Sequence, residues 1–235
     1  MAGLAITLLG GFHLVAGARD VRLGPQLARL LAFLAIHEWP SRYVIAGLLW
    51  PERSDEAALA ALRTTVWRLQ RQAPGALLAD PRTLRLAPAV RVDLREYVDW
   101  AHRVLRAPDR LTDAELVIPA VGTELLPGWY DDWLEPERQR LHQLRVHALE
   151  TVAVEQLTRA RPGLAMVAAL AALRSDPLRE STHRLLVRIH LTEGNVDAAL
   201  HQFDSCRRLL QTEVGVRPSP ELVELVAPFL HPGRP

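Results

Sequence analysis

Ala60-Ala61-Leu62-Arg63-Thr64-Thr65-Val66-Trp67-Arg68-Leu69-Gln70-Arg71 is the stretch whose reading decides the fold. Leu62, Val66 and Leu69 recur at i, i+4 and i+7 and share one face of an amphipathic helix. Ala60, Thr64, Trp67, Arg68 and Arg71 fall on the other side, and Arg63 lies at the flank of the apolar face. A solvated helix usually mixes both charge signs on its outer surface. This stretch contains no acid; it offers arginines, small hydroxyls and one ring. That surface suits a polyanion, because guanidinium groups reach phosphates and guanine edges.

The flanking residues frame this helix. Residues 4–23 read as short strands: 4–9, then 12–15 after Gly10-Gly11, then 21–23 after a turn at 16–19. Gly24-Pro25 opens a helix with proline at an early position, and Leu27, Leu30, Leu31 and Leu34 form its apolar face. It is expected to stop near Trp39-Pro40. Ser41 caps a short helix whose Val44, Leu48 and Leu49 are expected to point inward and which Pro51 breaks. The arginine helix is expected to start after Ser54-Asp55 and to run to about Gln72, where Pro74-Gly75 ends it. Two short runs follow, 76–79 and 83–86, with Asp80-Pro81-Arg82 as the turn between them. Strands, three helices and a hairpin make a winged helix-turn-helix with an added N-terminal sheet.

From about Leu94 onward the chain reads as all helix. Thr112-Asp113-Ala114-Glu115 matches a capping box. Pro136 is expected to start a long helix reaching about Ala160, and Asp176-Pro177 and Ser219-Pro220 to start further helices. Ala165 and Ala169 sit 34 residues before Ala199 and Phe203. That is the tetratricopeptide (TPR) period with its small-x-x-x-large packing position. The expected fold class is α+β: an N-terminal winged helix-turn-helix with a β-sheet over 1–93, then an all-α TPR-like domain over 94–235.

Bulk composition agrees. The 235 residues suffice for two domains, and 49% apolar content supports packed cores. Residues 1–95 hold 12 Arg against 7 Asp and Glu, whereas residues 96–235 hold 16 against 20. A basic half joined to an acidic half suggests a nucleic-acid-binding domain with something else attached. No lysine occurs, as a GC-rich genome would dictate. Cys206 is alone, so no internal disulfide forms and a reducing cytosol fits. The longest apolar run, 163–173, falls short of the roughly 20 residues that a bilayer requires. Met1-Ala2-Gly3 lacks the cationic flank of a signal peptide. The expectation is a cytoplasmic protein without a membrane segment.

Four segments carry a family resemblance. Leu48-Leu49-Trp50-Pro51 followed by 62–69, Trp129-Tyr130-Asp131-Asp132-Trp133-Leu134 with Glu137-Arg138, 176–185, and 213–222 stand in one order along the chain. In that order they resemble the actinobacterial antibiotic-regulatory-protein (SARP/AfsR-like) transcriptional activators with a bacterial transcriptional activator domain. The resemblance implies a winged DNA-binding domain of the two-component-regulator type. It also implies a helical domain that helps dimerisation on repeated promoter sites and contacts RNA polymerase. Two departures stand out. The wing is short and lacks the family's glycine-and-aromatic tip, and Gln70 occupies a place where arginine is frequent.

The DNA-binding residues expected on this reading are Ala60, Arg63, Thr64, Trp67, Arg68, Arg71 and Arg82. Arg68 and Arg71 are placed to donate to phosphates or base edges, the alternative being ordinary solvated arginines. Thr64 suits a thymine methyl or a phosphate oxygen, and Ala60 permits close approach; the alternative for both is plain helix surface. Arg63 reaches the DNA backbone or pairs with an acid on a neighbouring helix. Trp67 faces DNA or packs against the wing, the commoner use of such a ring. Arg82, at the hairpin tip, borders the minor groove or is a simple loop arginine.

Trp129, Tyr130 and Trp133 are expected in the core of the helical domain, and Asp131 and Asp132 as an exposed pair at a helix start. His183 and His190 lack partners at ligand spacing and read as packing or capping residues. No phosphate-loop, zinc-protease, nucleophile-elbow or paired-cysteine motif occurs, so neither catalysis nor a cofactor or metal is expected. The expected function is sequence-specific promoter binding by a transcriptional regulator that contacts RNA polymerase and forms a homodimer, at least on DNA. The alternative is a protein–protein scaffold with a degenerate DNA-binding domain.

Overall fold

The computed structural model describes residues 3–38, 40–119 and 124–230; Trp39, near which the first helix was expected to stop, lies outside them. The described chain forms two compact units that interleave in sequence: 1–98 with 120–138, and 99–119 with 139–235.

The first unit is built on α1 (Pro25–Ile36), with Pro25 in its first turn. Leu27, Leu30, Leu31 and Leu34 are buried as expected, and so are Ala28, Ala32, Phe33 and Ala35. A helix that is apolar nearly all round belongs at the centre of a core. α2 (Arg42–Leu49) is capped by Ser41, whose hydroxyl accepts from the Val44 amide at 3.3 Å. Its inward residues are Ile45, Ala46 and Leu49, while Val44 and Leu48 are exposed, which corrects the expected phase. The run 43–49 holds no charged or strongly polar residue to mark which side faces water. α3 (Asp55–Gln72) packs on both helices, and the antiparallel hairpin β4 (Leu77–Ala79) and β5 (Leu84–Leu86) follows.

The N-terminal sheet has the order β3 (Arg19–Asp20), β2 (His13–Ala16), β1 (Leu4–Thr7), β6 (Arg91–Val92). β1 and β2 pair antiparallel, and β3 lies just before the expected third strand. β6 joins β1 in parallel. Nothing in the sequence announces it, because two residues carry no periodicity. Asp93 fixes this edge: its carboxylate accepts from Leu8 N at 2.8 Å, Leu9 N at 3.0 Å and Leu94 N at 2.7 Å, although burial pushes its pKa up.

Residues 124–138 belong to this unit. Leu9 bridges Leu125, and Leu126 N donates to Leu8 O at 2.9 Å. Arg138 donates to the carbonyls of Leu125, Leu126 and Trp129 at 2.7–3.0 Å. Trp133 stands edge-on to Phe33 at 5.2 Å, Trp129 lies 5.9 Å from Phe12, and Tyr130 is 92% exposed. The aromatic cluster therefore serves the winged unit, not the helical core in which it was expected. Asp131 and Asp132 do stand at a helix start, the short turn of helix Asp132–Leu134, and Asp132 is exposed, but Asp131 is largely buried. It accepts from Arg29 Nε at 2.8 Å and also from Nη2. An arginine on a buried helix needs a counter-charge, and 102 residues of separation conceal this one.

The second unit holds most of α4 (Asp93–Arg106) and α5 (Glu135–Thr158), then α6 (Pro162–Ser175), α7 (Glu180–Thr192), α8 (Val196–Glu213) and α9 (Pro220–Leu230). Ala165, Ala169, Ala199 and Phe203 are all buried, so α6–α7 and α8–α9 are equivalent TPR-like pairs. Among the described residues between α4 and α5 there is no regular α-helix. The Thr112–Glu115 box forms its bonds (2.9, 2.6 and 3.4 Å) on a turn, among prolines 108, 119 and 127. Asp176-Pro177 does not start a helix: Asp176 C-caps α6, and α7 begins at Glu180. Arg179 is drawn instead to Glu150, which also accepts from Ser181 and Thr182 at 2.6 and 2.7 Å. Burial raises the Glu150 pKa, but these bonds outweigh it and hold the carboxyl below its ordinary value. Ser219 caps α9 through the Leu222 amide at 3.4 Å. His183 is a packing residue, held between Pro177 O at 2.9 Å and Gln202 at 2.6 Å. Among the described residues no helix is long and apolar enough to cross a membrane.

Asp131→Ala leaves Arg29 without its partner on a buried helix. The expected loss is about 2 kcal/mol, read by urea unfolding. Arg29→Met with Asp131→Leu is expected to recover part of it, since neither charge is then stranded.

Candidate nucleic-acid interface

α3 has 18 residues, a rod of about 27 Å. Leu62, Val66 and Leu69 face the core, joined by Ala58 and Thr65. Arg63, Thr64, Trp67, Arg68, Gln70 and Arg71 are exposed, and Ala60 is half-exposed. The helix contains no acid from Ala57 to Gln72. It does start on Asp55 and Glu56, which sit favourably at the positive end of the helix dipole. Glu56 lies one turn before Ala60 on the outer arc, so that arc carries one carboxylate at its N-terminal end.

Each expected site residue now has a place. The Thr64 hydroxyl donates to Ala60 O at 3.1 Å, which leaves its methyl and acceptor lone pairs for a ligand. Trp67 is 56% exposed and does not pack into the core beneath the wing. The guanidinium of Arg71 stands 4.8 Å from the centre of its ring. Such an exposed cation–π contact is worth about 0.5–1 kcal/mol and restricts the arginine. Leu77, Leu84 and Leu86 of the short wing turn inward, whereas Leu78 stays exposed.

Five of the seven residues line two grooves of this unit, and Trp67 and Arg71 line neither. Ala60, Thr64 and Arg68 line a groove of about 980 Å³ with Gly24 and Pro25 at the start of α1. Arg53 lines it too. It lies in the loop before α3, and no periodicity brings it to notice. Arg63 and Arg82 line a second groove, about 750 Å³, with Arg42 and Tyr43 of α2. Arg63 makes no ion pair among the described residues, so the expected alternative of a neighbouring acid is not realised.

Hydrogen bonds tie the wing tip to α2. Arg42 Nε donates to Asp80 O at 2.9 Å, and Arg42 N to Arg82 O at 3.1 Å. Within the tip, Asp80 accepts from the Arg82 and Thr83 amides at 2.8 and 2.7 Å and from the Thr83 hydroxyl. The Thr83 hydroxyl bond, then the two amide bonds, lower the Asp80 pKa to about 2. Arg82 is therefore carried on an ordered turn.

This architecture is a winged helix-turn-helix with an N-terminal sheet, followed by TPR-like helices. Residues 119–230 match the family described as "Bacterial transcriptional activator domain". Regulatory protein AfsR of Streptomyces coelicolor is 31% identical over 86% of this chain and 21% of its own length. Regulatory protein AfsR of Streptomyces griseus is 30% identical over 94% and 24%. The chain thus spans between a fifth and a quarter of these relatives. The solved structure of Mycobacterium tuberculosis EmbR in complex with a low-affinity phosphopeptide superimposes with a TM-score of 0.78 at 20% identity, over 98% of this chain and 65% of that one, and it supports the fold. The chain is similar to the AfsR regulators over most of its length, and its residues 119–230 match a bacterial transcriptional activator domain.

The folded Asp80 carboxyl titrates near 2, below its ordinary 3.8, so its bonds to the turn are complete above about pH 4 and are lost as pH falls through 2. The Arg82 and Thr83 amide resonances are expected to shift with that low midpoint. In Asp80→Ala both amides are expected to exchange faster at neutral pH.

Proposed function

We propose that this chain is a sequence-specific DNA-binding transcriptional regulator acting as an activator. The observation that carries the proposal is the acid-free exposed face of α3 from Ala57 to Gln72 in a winged helix-turn-helix. α3 enters a major groove. Arg68 and Arg71 hold phosphates or guanine edges, Thr64 offers its methyl to thymine, and Ala60 lets the helix approach closely. Trp67 orders Arg71. Arg63 and Arg82 reach the flanking backbone from the second groove, with Arg82 towards the minor groove.

DNA contact lies within residues 1–93, and residues 94–235 serve activation through RNA polymerase. Two copies occupy repeated promoter sites, so the second binds at a raised effective concentration. The process runs in the cytoplasm and involves no chemical step, cofactor or metal. The short wing favours one second reading, a scaffold that has lost DNA binding.

Binding of the purified chain to genomic promoter fragments, titrated against salt, separates the two. A regulator is expected to prefer particular fragments with a steep salt slope. Arg68→Ala and Arg71→Ala are each expected to weaken binding and to reduce that slope by about one. Salt-insensitive binding without fragment preference, or unchanged affinity in both variants, overturns the reading.

A further inference from the structure

Phe203, Arg207 and Gln211 recur every fourth residue along α8 and so form one stripe. With Arg208, Arg217 and Val223 they line a cleft of about 460 Å³ beside the link into α9. Phe203 is nearly buried and gives the cleft an apolar floor. No acidic residue lines it. Arg207 is held by Asp204 at 3.0 Å, whereas Arg208 and Arg217 make no ion pair among the described residues. This concentration of positive charge stands out in a half of the chain where acids outnumber arginines, 20 to 16.

Shape and chemistry select the occupant. From Phe203 to Gln211 the helix rises about 12 Å. Three or four residues of extended chain cover the same distance at about 3.3 Å each. Guanidinium groups pair with carboxylates in a planar, two-point fashion. Phe203 and Val223 take an apolar side chain, and the Gln211 amide is placed for a backbone bond. A duplex is the poorer fit, because its phosphates call for polar contacts on an exposed surface and leave an apolar floor unused.

We propose that this cleft binds an acidic peptide segment, with one apolar side chain over Phe203 and flanking carboxylates on Arg208 and Arg217. The proposal is independent of DNA binding by α3. The test pans random heptapeptides displayed on phage against the full chain, then measures a fluorescein-labelled selected peptide by anisotropy. The expected consensus is an apolar residue flanked by Asp or Glu. Affinity is expected to fall at least about tenfold in R208E/R217E, and equally when the peptide's acids become amides. Arg217→Gln neutralises a single exposed side chain and is expected to cost at least about threefold, which keeps the test open if the double variant misfolds. Duplex affinity is expected to stay within about twofold throughout. Selection without an acidic consensus, or peptide binding indifferent to these variants, overturns the proposal. A tenfold loss of duplex binding in R208E/R217E also overturns it, by assigning the cleft to nucleic acid.

Discussion

Burial of Leu62, Val66 and Leu69 in the core shared with α1 and α2 is the constraint on which the rest depends. These residues lie at i, i+4 and i+7, so one helical stripe consumes all of them and no rotation of α3 keeps them dry while turning the arginines inward. The outward direction of Arg68 and Arg71 is therefore a consequence of packing. Breaking the stripe would release the helix and, with it, the direction of every cation it carries.

The same cationic residue type does two jobs. Arg95 gives its guanidinium to the carbonyls of Ala35 and Leu34, Arg138 to three carbonyls, and Arg29 to Leu49 O and Asp131. Arg159 ties Pro108, Leu111, Asp113 and Glu155 together. Each uses the planar fork to satisfy several acceptors at once in a fixed geometry that a lysine lacks. Arg63 and Arg68 have no such partner among the described residues. Net charge blurs this distinction: 12 arginines in the basic part of the chain include both structural clamps and available cations.

What the sequence made legible was whatever is local and periodic. The inward stripes of α1 and α3, the Ser41 and Ser219 caps, the hairpin and the 34-residue repeat all follow from spacing within one or two elements. The phase of α2 was hidden because its run of apolar residues has no polar marker. β6 was hidden because two residues have no period. Asp131 looked exposed because its partner Arg29 is 102 positions away. The aromatic segment was assigned to the wrong core for the same reason: Trp133 meets Phe33 across 100 residues of chain. Helix periodicity put Arg68 and Arg71 on the exposed face, but the joining of Arg63 to Arg82 needed the bonds between Arg42 and the wing tip.

The local setting of an unpaired guanidinium decides what it can recognise. On α3 Arg63 and Arg68 line grooves, Arg71 rests on an exposed ring, and small side chains lie between them. A repeating row of phosphates asks for that arrangement, because each contact is polar and the backbone must come close. Trp67 adds order where it is otherwise lacking, since an arginine already resting on a ring loses less freedom when it is bound. On α8 the cations surround a concave floor of Phe203 and Val223. There the desolvated apolar surface supplies part of the attraction, and the charges select for carboxylates next to an apolar side chain. The side chains that flank the cations, more than charge, distinguish the surface proposed for nucleic acid from the cleft proposed for a peptide in a chain whose only strong cation is arginine.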